Sequence, residues 1–242
     1  MKKREQWIDA LKGIGILGII LTHCGTKYLD GIFYSIATCA SNGVELFLLI
    51  SAYLSFESYS KCFIGKKWDV IRGLGKCWIR IIPMYYFALL IIGIATGGSE
   101  FWLGTEEKIH FGNALMHIFL LHGLVPHYAN SIIGLEWYIG VLAIMYLLVP
   151  IIYRICDSLG KSVFVFCVVS IVSYKVDNSI LNYVANREDV AIYWNYFDRF
   201  WILAQLPVIL LGVILFHCKK MGEKGGNAQK KWMWFYFDKI GT

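Results

Sequence analysis

Ile132-Ile-Gly-Leu-Glu-Trp-Tyr-Ile-Gly-Val-Leu-Ala-Ile-Met-Tyr-Leu-Leu-Val-Pro-Ile-Ile-Tyr153 runs for 22 residues with a single carboxylate, Glu136, and no cation. A helix rising about 1.5 Å per residue needs roughly 20 apolar residues to cross about 30 Å of hydrocarbon, so this stretch predicts a transmembrane helix. The same window predicts further spans at 10–28, 36–56, 78–97, 162–176 and 199–218. The stretch 112–125 is shorter, carries His117 and His122 and stops at Pro126. It fits a re-entrant or interfacial helix better than a crossing. The expected fold is all-α: a polytopic transmembrane bundle of about six full spans plus one short helix that does not cross.

Composition supports that class. The 242 residues are 57% hydrophobic and 17% charged, with a mean hydropathy of +0.56. Soluble domains sit near about 45–50% apolar and about 25% charged, which sets aside cytosolic-enzyme, disordered and collagen-like readings. The net charge of +6 could point to a polyanion, but membrane proteins concentrate Lys and Arg on the cytoplasmic face, so no nucleic-acid partner is needed. With 112–125 not crossing, the N-terminus, the 57–80 loop, the 154–161 loop and the tail after 218 share one side and hold 18 of the 23 Lys and Arg residues. That asymmetry places both termini in the cytoplasm of a multi-pass plasma-membrane protein.

The N-terminal Met1-Lys-Lys-Arg run resembles a signal peptide, yet no small-residue cleavage site follows and Lys12 interrupts the apolar region, so the first helix is expected to stay attached. Seven scattered cysteines without a C-x-x-C pair read as small packing residues. The chain parses as one membrane domain, 1–218. Residues 219–242 then form a basic cytoplasmic tail, loosened by Gly222, Gly225 and Gly226, or the start of a truncated further helix.

Three patterns could carry chemistry. Gly13-x-Gly15-x-x-Gly18 formally matches a dinucleotide fingerprint, but no strand precedes it, so close helix packing explains it, as it does Gly93-x-x-x-Gly97. Lys12 and His23 are eleven residues apart, close to three turns on nearly one face, with Asp9 a turn below. This stripe is either a snorkelling lysine, its paired aspartate and a capping histidine, or a titratable imidazole set above a cation for function. Arg72, Lys76 and Arg80 fall at i, i+4 and i+8 on one face entering the third span. Such a stripe suits the phosphates of a nucleotide-bearing donor such as coenzyme A, or anionic lipid headgroups. Glu45 and Glu136 lie at or inside spans, where an ionisable group faces a partner or a wet cavity and not lipid. No pair of histidines has metal-ligand spacing, so no metal is expected.

Trp7-Ile-Asp-Ala-Leu-Lys-Gly-Ile-Gly-Ile-Leu-Gly-Ile-Ile-Leu-Thr-His23 resembles the first helix of the integral-membrane O-acyltransferase family, the acyltransferase type-three group, in which a basic residue precedes a histidine by this interval. Gly43-Val-Glu-Leu-Phe-Leu-Leu-Ile-Ser-Ala-Tyr53 is similar to the family's second-helix motif, with Ala52 in place of a glycine. The resemblance continues through Arg80-Ile-Ile-Pro83, Trp137 to Pro150 and Leu206 to Gly212, although many members place a glutamate after the tryptophan where this chain has Leu142 and Ala143. The family usually has more helices, so a shortened member is expected.

The resemblance implies transfer of an acyl group, commonly acetyl from cytoplasmic acetyl-CoA, to a hydroxyl of a cell-surface polysaccharide or other envelope glycan. It makes His23 the general base or transient acyl carrier, with Asp9 orienting Lys12 and Glu45 orienting the imidazole or receiving a sugar hydroxyl. Lys12, Arg72, Lys76 and Arg80 would hold the donor's phosphates. Ser51 is a covalent relay or a packing hydroxyl, Tyr53 completes its motif on the substrate side, and Glu136 with Trp137 forms an interface anchor or a sugar platform. Two other classes remain: a transporter using the same charged stripe without covalent chemistry, and an inactive membrane scaffold.

Overall fold

The computed structural model describes residues 6–25, 29–62, 67–99, 108–125, 128–134, 136–185 and 197–240; within these, the side chains of 24–25, 62, 67–74, 76–77, 80, 184, 197–198 and 224–240 lie outside the description. The helices are α1 (Gln6–Gly25), α2 (Gly31–Ala40), α3 (Gly43–Cys62), α4 (Lys67–Ala95), α5 (Phe111–Ile118), α6 (Trp137–Ile155), α7 (Leu159–Ala185), α8 (Phe197–Phe200) and α9 (Ile202–Ile240), with a 3-10 turn at His122–Leu124. The described residues contain no β-strand, only an isolated bridge between Ser99 and Lys108.

Four segments among the described residues are long and apolar enough to cross a membrane: Gly31–Lys61, Trp137–Ile155, Leu159–Tyr183 and Ile202–Glu223. The apolar part of α4, Ile81–Ala95, is shorter. Ile79, Met84, Phe87, Leu90 and Ile94 on α4, and Phe164, Ile171 and Val172 on α7, point outward. So broad an apolar surface suits lipid and not water, and the protein is a helical membrane protein. At eight residues α5 is about 12 Å long, far too short to cross.

Several boundaries differ from the sequence reading. The span expected at 36–56 is interrupted by a turn at Ser41–Asn42, so its first residues belong to α2. Helix α9 does not stop at 218 but continues as helical backbone to Ile240, through glycines that were expected to loosen a tail. Lys219 helps to carry the helix past that point. Its Nζ donates to the Tyr53 hydroxyl at 2.8 Å and lies 3.7 Å from Glu57 Oε1, tying α9 to α3.

Helix α3 is the centre of the bundle, packed against α1, α4, α6 and α9. Its buried Leu48, Ile50, Ala52, Tyr53 and Phe56 join Val141, Met145 and Val149 of α6 and Ile209, Leu210 and Val213 of α9. The helices approach most closely at small residues. A Cβ on Gly212 would collide with the Leu49 carbonyl and lie 2.8 Å from Ala52 Cβ, and one on Gly43 would lie 2.7 Å from the Gly15 carbonyl. Gly18 similarly faces Ala40, at 3.1 Å from its carbonyl. Gly15 and Gly18 thus serve helix packing, whereas Gly13 and Gly93 have nothing within 4 Å of a Cβ position. Gly97 has no packing role either. It ends α4 at φ +63, with the Gly98 N–H donating to the Gly93 carbonyl at 2.8 Å and the Gly97 N–H to Ile94 at 3.2 Å, a Schellman motif. Of the four cysteines described as free thiols, only Cys156 packs inside; Cys39, Cys167 and Cys218 are on the outside.

Candidate active site

Four chain segments meet at one end of the bundle. The C-terminal end of α1 brings Ile19, Thr22 and His23; the α2–α3 turn and the start of α3 bring Ser41, Val44, Glu45 and Phe47; the start of α6 brings Trp137 and Tyr138; and α8 brings Arg199 and Phe200. Together they enclose a cavity of about 340 Å3. His23 reaches it because Thr22 Oγ1 donates to the Ala37 carbonyl at 2.7 Å and to Gly18 at 3.0 Å, fastening the end of α1 to α2. The absence of a side chain at Gly18 permits that approach, and at Gly15 it lets α1 approach α3.

Polar groups on the cavity wall are ordered by the turn between α2 and α3. Arg199 Nη2 donates to Asn42 Oδ1 at 2.7 Å and to Ser41 Oγ at 3.4 Å, and its Nε lies 3.5 Å from Glu45 Oε1. Gln205 Nε2 donates to the Arg199 carbonyl at 2.7 Å, fixing the backbone from α9. Glu45 Oε2 is buried and has no hydrogen-bond partner among the described residues. Opposite, the rings of Trp137 and Phe200 stack with centroids 4.8 Å apart and planes 17° apart. Tyr138 extends this wall, with Ser51 of α3 close behind it.

A second polar cluster lies behind the same wall, buried between α4, α5, the 3-10 turn and α6. Helix α5 ends at Ile118, and Leu120 just beyond it, at a φ of +58, reverses the chain. That reversal stacks His122 on His117, with centroids 4.4 Å apart and planes 7° apart. Glu136 Oε1 accepts the N–H groups of Ile132 at 2.7 Å and Ile133 at 3.1 Å and lies 3.4 Å from His117 Nε2. His117 Nδ1 donates to the Asn113 carbonyl at 3.0 Å. His122 Nε2 donates to the Glu136 carbonyl at 3.1 Å, leaving Nδ1 to face the Tyr85 hydroxyl at 3.5 Å. Burial first, and His117 second, push the His122 pKa down to about 4, so the ring stays neutral. The turn lies so close to α6 that a Cβ on Gly140 would be 2.8 Å from Gly123 N and from His122 Nε2. Asn130 Oδ1 accepts the Trp137 N–H at 3.1 Å, and this anchors the first residue of the cavity wall.

Of the residues expected from sequence, His23, Glu45 and Trp137 come together at the cavity. Glu136 does not face it. It is 2% exposed, its carboxylate is engaged from three directions, and it braces the wall from behind. Tyr53 is buried between Lys219 and Trp7, away from His23, and Ser51 stands behind Tyr138. Asp9 and Lys12 are half-buried on α1 and do not line the cavity; Lys12 is about 16 Å along the axis from His23. Arg72, Lys76 and Arg80 are on the helical backbone of α4, and their side chains lie outside the described residues. Arg199, Tyr138 and Phe200, together with the His117–His122 pair, are the groups that sequence reasoning missed. The signal for Arg199 was its place as a lone arginine at the edge of an apolar span.

A cavity that gathers an imidazole, a carboxylate and a guanidinium between membrane helices can accept a proton, orient a hydroxyl and stabilise an anion. A family model described as an acyltransferase domain, of the type-three group, matches residues 5–237. The chain belongs to the acyltransferase type-three family. No curated protein and no solved structure matches it. The match covers every element that lines the cavity, from α1 to α8. Among the described residues of this acyltransferase, no group of three or more His, Cys, Asp or Glu side chains is arranged to hold a metal ion.

Proposed function

We propose that this acyltransferase moves an acyl group, acetyl in the first instance, from cytoplasmic acetyl-CoA to a hydroxyl of a cell-surface polysaccharide or other envelope glycan, working in the plasma membrane with both termini in the cytoplasm. The observation that carries this reading is the cavity that His23, Glu45 and Trp137 line together. A hydroxyl attacks a thioester slowly until a base removes its proton, and a neutral imidazole does this near physiological pH. His23 takes the hydroxyl proton as the oxygen bonds to the thioester carbonyl carbon. The carbon–sulfur bond then breaks, and the departing CoA thiolate takes that proton from the imidazolium. Glu45 accepts a further hydrogen bond from the acceptor through its unpartnered Oε2.

Chain direction supports a two-sided arrangement. Helix α3 starts at the cavity and α4 starts at the end where α3 finishes, so Arg72 and Lys76 fall in the half of α4 away from the cavity and Arg80 near its midpoint. Lys12 lies toward that same end of α1. In this reading these cations hold the donor's phosphates at the cytoplasmic face, and the acyl thioester extends between the helices to His23. The aromatic wall of Trp137 and Phe200 receives the acceptor.

The test is the full chain in lipid nanodiscs with labelled acetyl-CoA and glycerol as a simple hydroxyl acceptor. The expected result is release of free CoA thiol matched by label in a base-labile ester. Solute flux across proteoliposomes without thiol release would instead make the protein a transporter, and neither activity would make it a scaffold.

A further inference from the structure

We infer that Arg199 is a catalytic residue that stabilises the oxyanion formed when the acceptor oxygen adds to the thioester. This rests on the acyl-transfer reading above and names a group for the charge that His23 cannot handle. Acyl transfer has two electrostatic demands: the proton leaving the hydroxyl, and the negative charge appearing on the carbonyl oxygen. An imidazole beside the reacting hydroxyl meets the first. Among the described side chains that line the cavity, Arg199 alone carries a permanent positive charge.

Its geometry is that of a prepared donor. The guanidinium is held through Nη2 by Asn42 and Ser41 and through Nε by Glu45, and the backbone is held by Gln205. All three side-chain anchors come from one short segment, the α2–α3 turn and the first turn of α3, so Arg199 is fixed relative to Glu45. Arginine carries five N–H groups, and these contacts leave the two on Nη1 without a partner among the described residues. The 3.5 Å approach to a single carboxylate oxygen orients the guanidinium without using its remaining donors. Donors fixed before the reaction and aimed at developing charge need no reorganisation in the transition state.

In the balanced step, the acceptor oxygen bonds to the carbonyl carbon and its proton passes to His23. The carbonyl π electrons move onto oxygen and are met by the Nη1 hydrogens. They return as the carbon–sulfur bond breaks, and the thiolate leaves with the proton from His23.

The experiment compares wild type, Arg199→Lys and Arg199→Gln as full chains in nanodiscs, following CoA release from acetyl-CoA with glycerol as acceptor, alongside size-exclusion and thermal-unfolding profiles. A residue acting only in the transition state lowers kcat and leaves KM alone. Arg199→Gln is expected to lose about 10²–10³-fold in kcat, with KM for acetyl-CoA and glycerol within about twofold, and Arg199→Lys to recover part of that loss. Wild-type kcat in Arg199→Gln, or a loss confined to KM for glycerol, overturns the assignment while leaving acyl transfer standing. If Arg199→Gln does not fold, Arg199→Lys decides: lowered kcat at unchanged KM supports the role, and unchanged kcat overturns it. Absence of CoA release by the wild type removes the acyl-transfer reading and this assignment together.

Discussion

Replacing Glu136 tests whether the buried cluster braces the cavity wall. In Glu136→Ala, the N–H groups of Ile132 and Ile133 lose their acceptor and His117 Nε2 loses its counterpart, all at a site only 2% exposed. A buried polar group left without a partner costs about 1–3 kcal/mol, so three such groups put the loss on the order of 3–9 kcal/mol. That is a large part of a typical total of about 5–15 kcal/mol. Glu136→Gln keeps a carbonyl oxygen where Oε1 accepts the two backbone N–H groups, and loses only the charge facing His117. Its expected cost is about 1–2 kcal/mol. Denaturant titration in mixed micelles, followed by helix loss, compares the two variants. Equal costs for Ala and Gln, or a cost below about 1 kcal/mol for Ala, would refute the brace, because the bonded oxygen would then carry none of the stability.

Other consequences can be measured in the same preparation. His122 has a pKa depressed from the ordinary 6.5 to about 4, so the unfolded chain binds the proton more readily. Its contribution is fully present above about pH 6.5 and is lost as the pH falls toward about 4; His122→Gln should flatten that part of the pH–stability curve. Gly212→Val should destabilise the α3–α9 contact by at least about 1–3 kcal/mol, since even a Cβ collides with the Leu49 carbonyl; an unfolding midpoint equal to wild type would contradict it. Gly140→Ala should lower the midpoint by separating the 3-10 turn from α6, where the added carbon meets Gly123 N at 2.8 Å. Tyr53→Phe should leave the KM for glycerol unchanged, because the Tyr53 hydroxyl bonds Lys219 and does not reach the cavity.

Much of the helical frame was legible because long apolar runs have few alternatives in a membrane. The one-face stripe on α1 was readable for a similar reason: three helical turns align residues eleven apart whatever packs around them. Glu45 and Trp137 were found because an ionisable or amphipathic group at a span edge needs a reason to be there. Gly15 and Gly18 were read correctly as packing residues, while Gly93 and Gly97, read the same way, make no close helix contact. The small-residue pattern states that a helix can be approached, not that a neighbour exists.

The misses have a common cause. Arg199 meets Glu45 across most of the chain, and no local period connects them. His117 and His122 are five apart, a spacing that would turn their side chains well away from each other on one continuous helix. Only the reversal at Leu120 stacks them, and a leucine at positive φ has no sequence signature. Glu136 was judged by its place at a span edge, where a sugar platform was reasonable. The fold-back of residues 111–125 and 128–134 onto α6 turned it inward instead. The extension of α9 was hidden by its glycines, each of which disfavours helix by about 1 kcal/mol, while the Lys219 contacts that oppose this lie on another helix.

The central claim is that the His23 imidazole carries out the proton transfer in the cavity it shares with Glu45, and its most direct test is the rate of acetyl transfer to glycerol by His23→Ala in nanodiscs. Loss of a positioned general base removes about 10²–10⁴-fold in rate, so turnover should fall by that factor with the unfolding midpoint unchanged. Wild-type turnover in a folded His23→Ala protein would contradict the account.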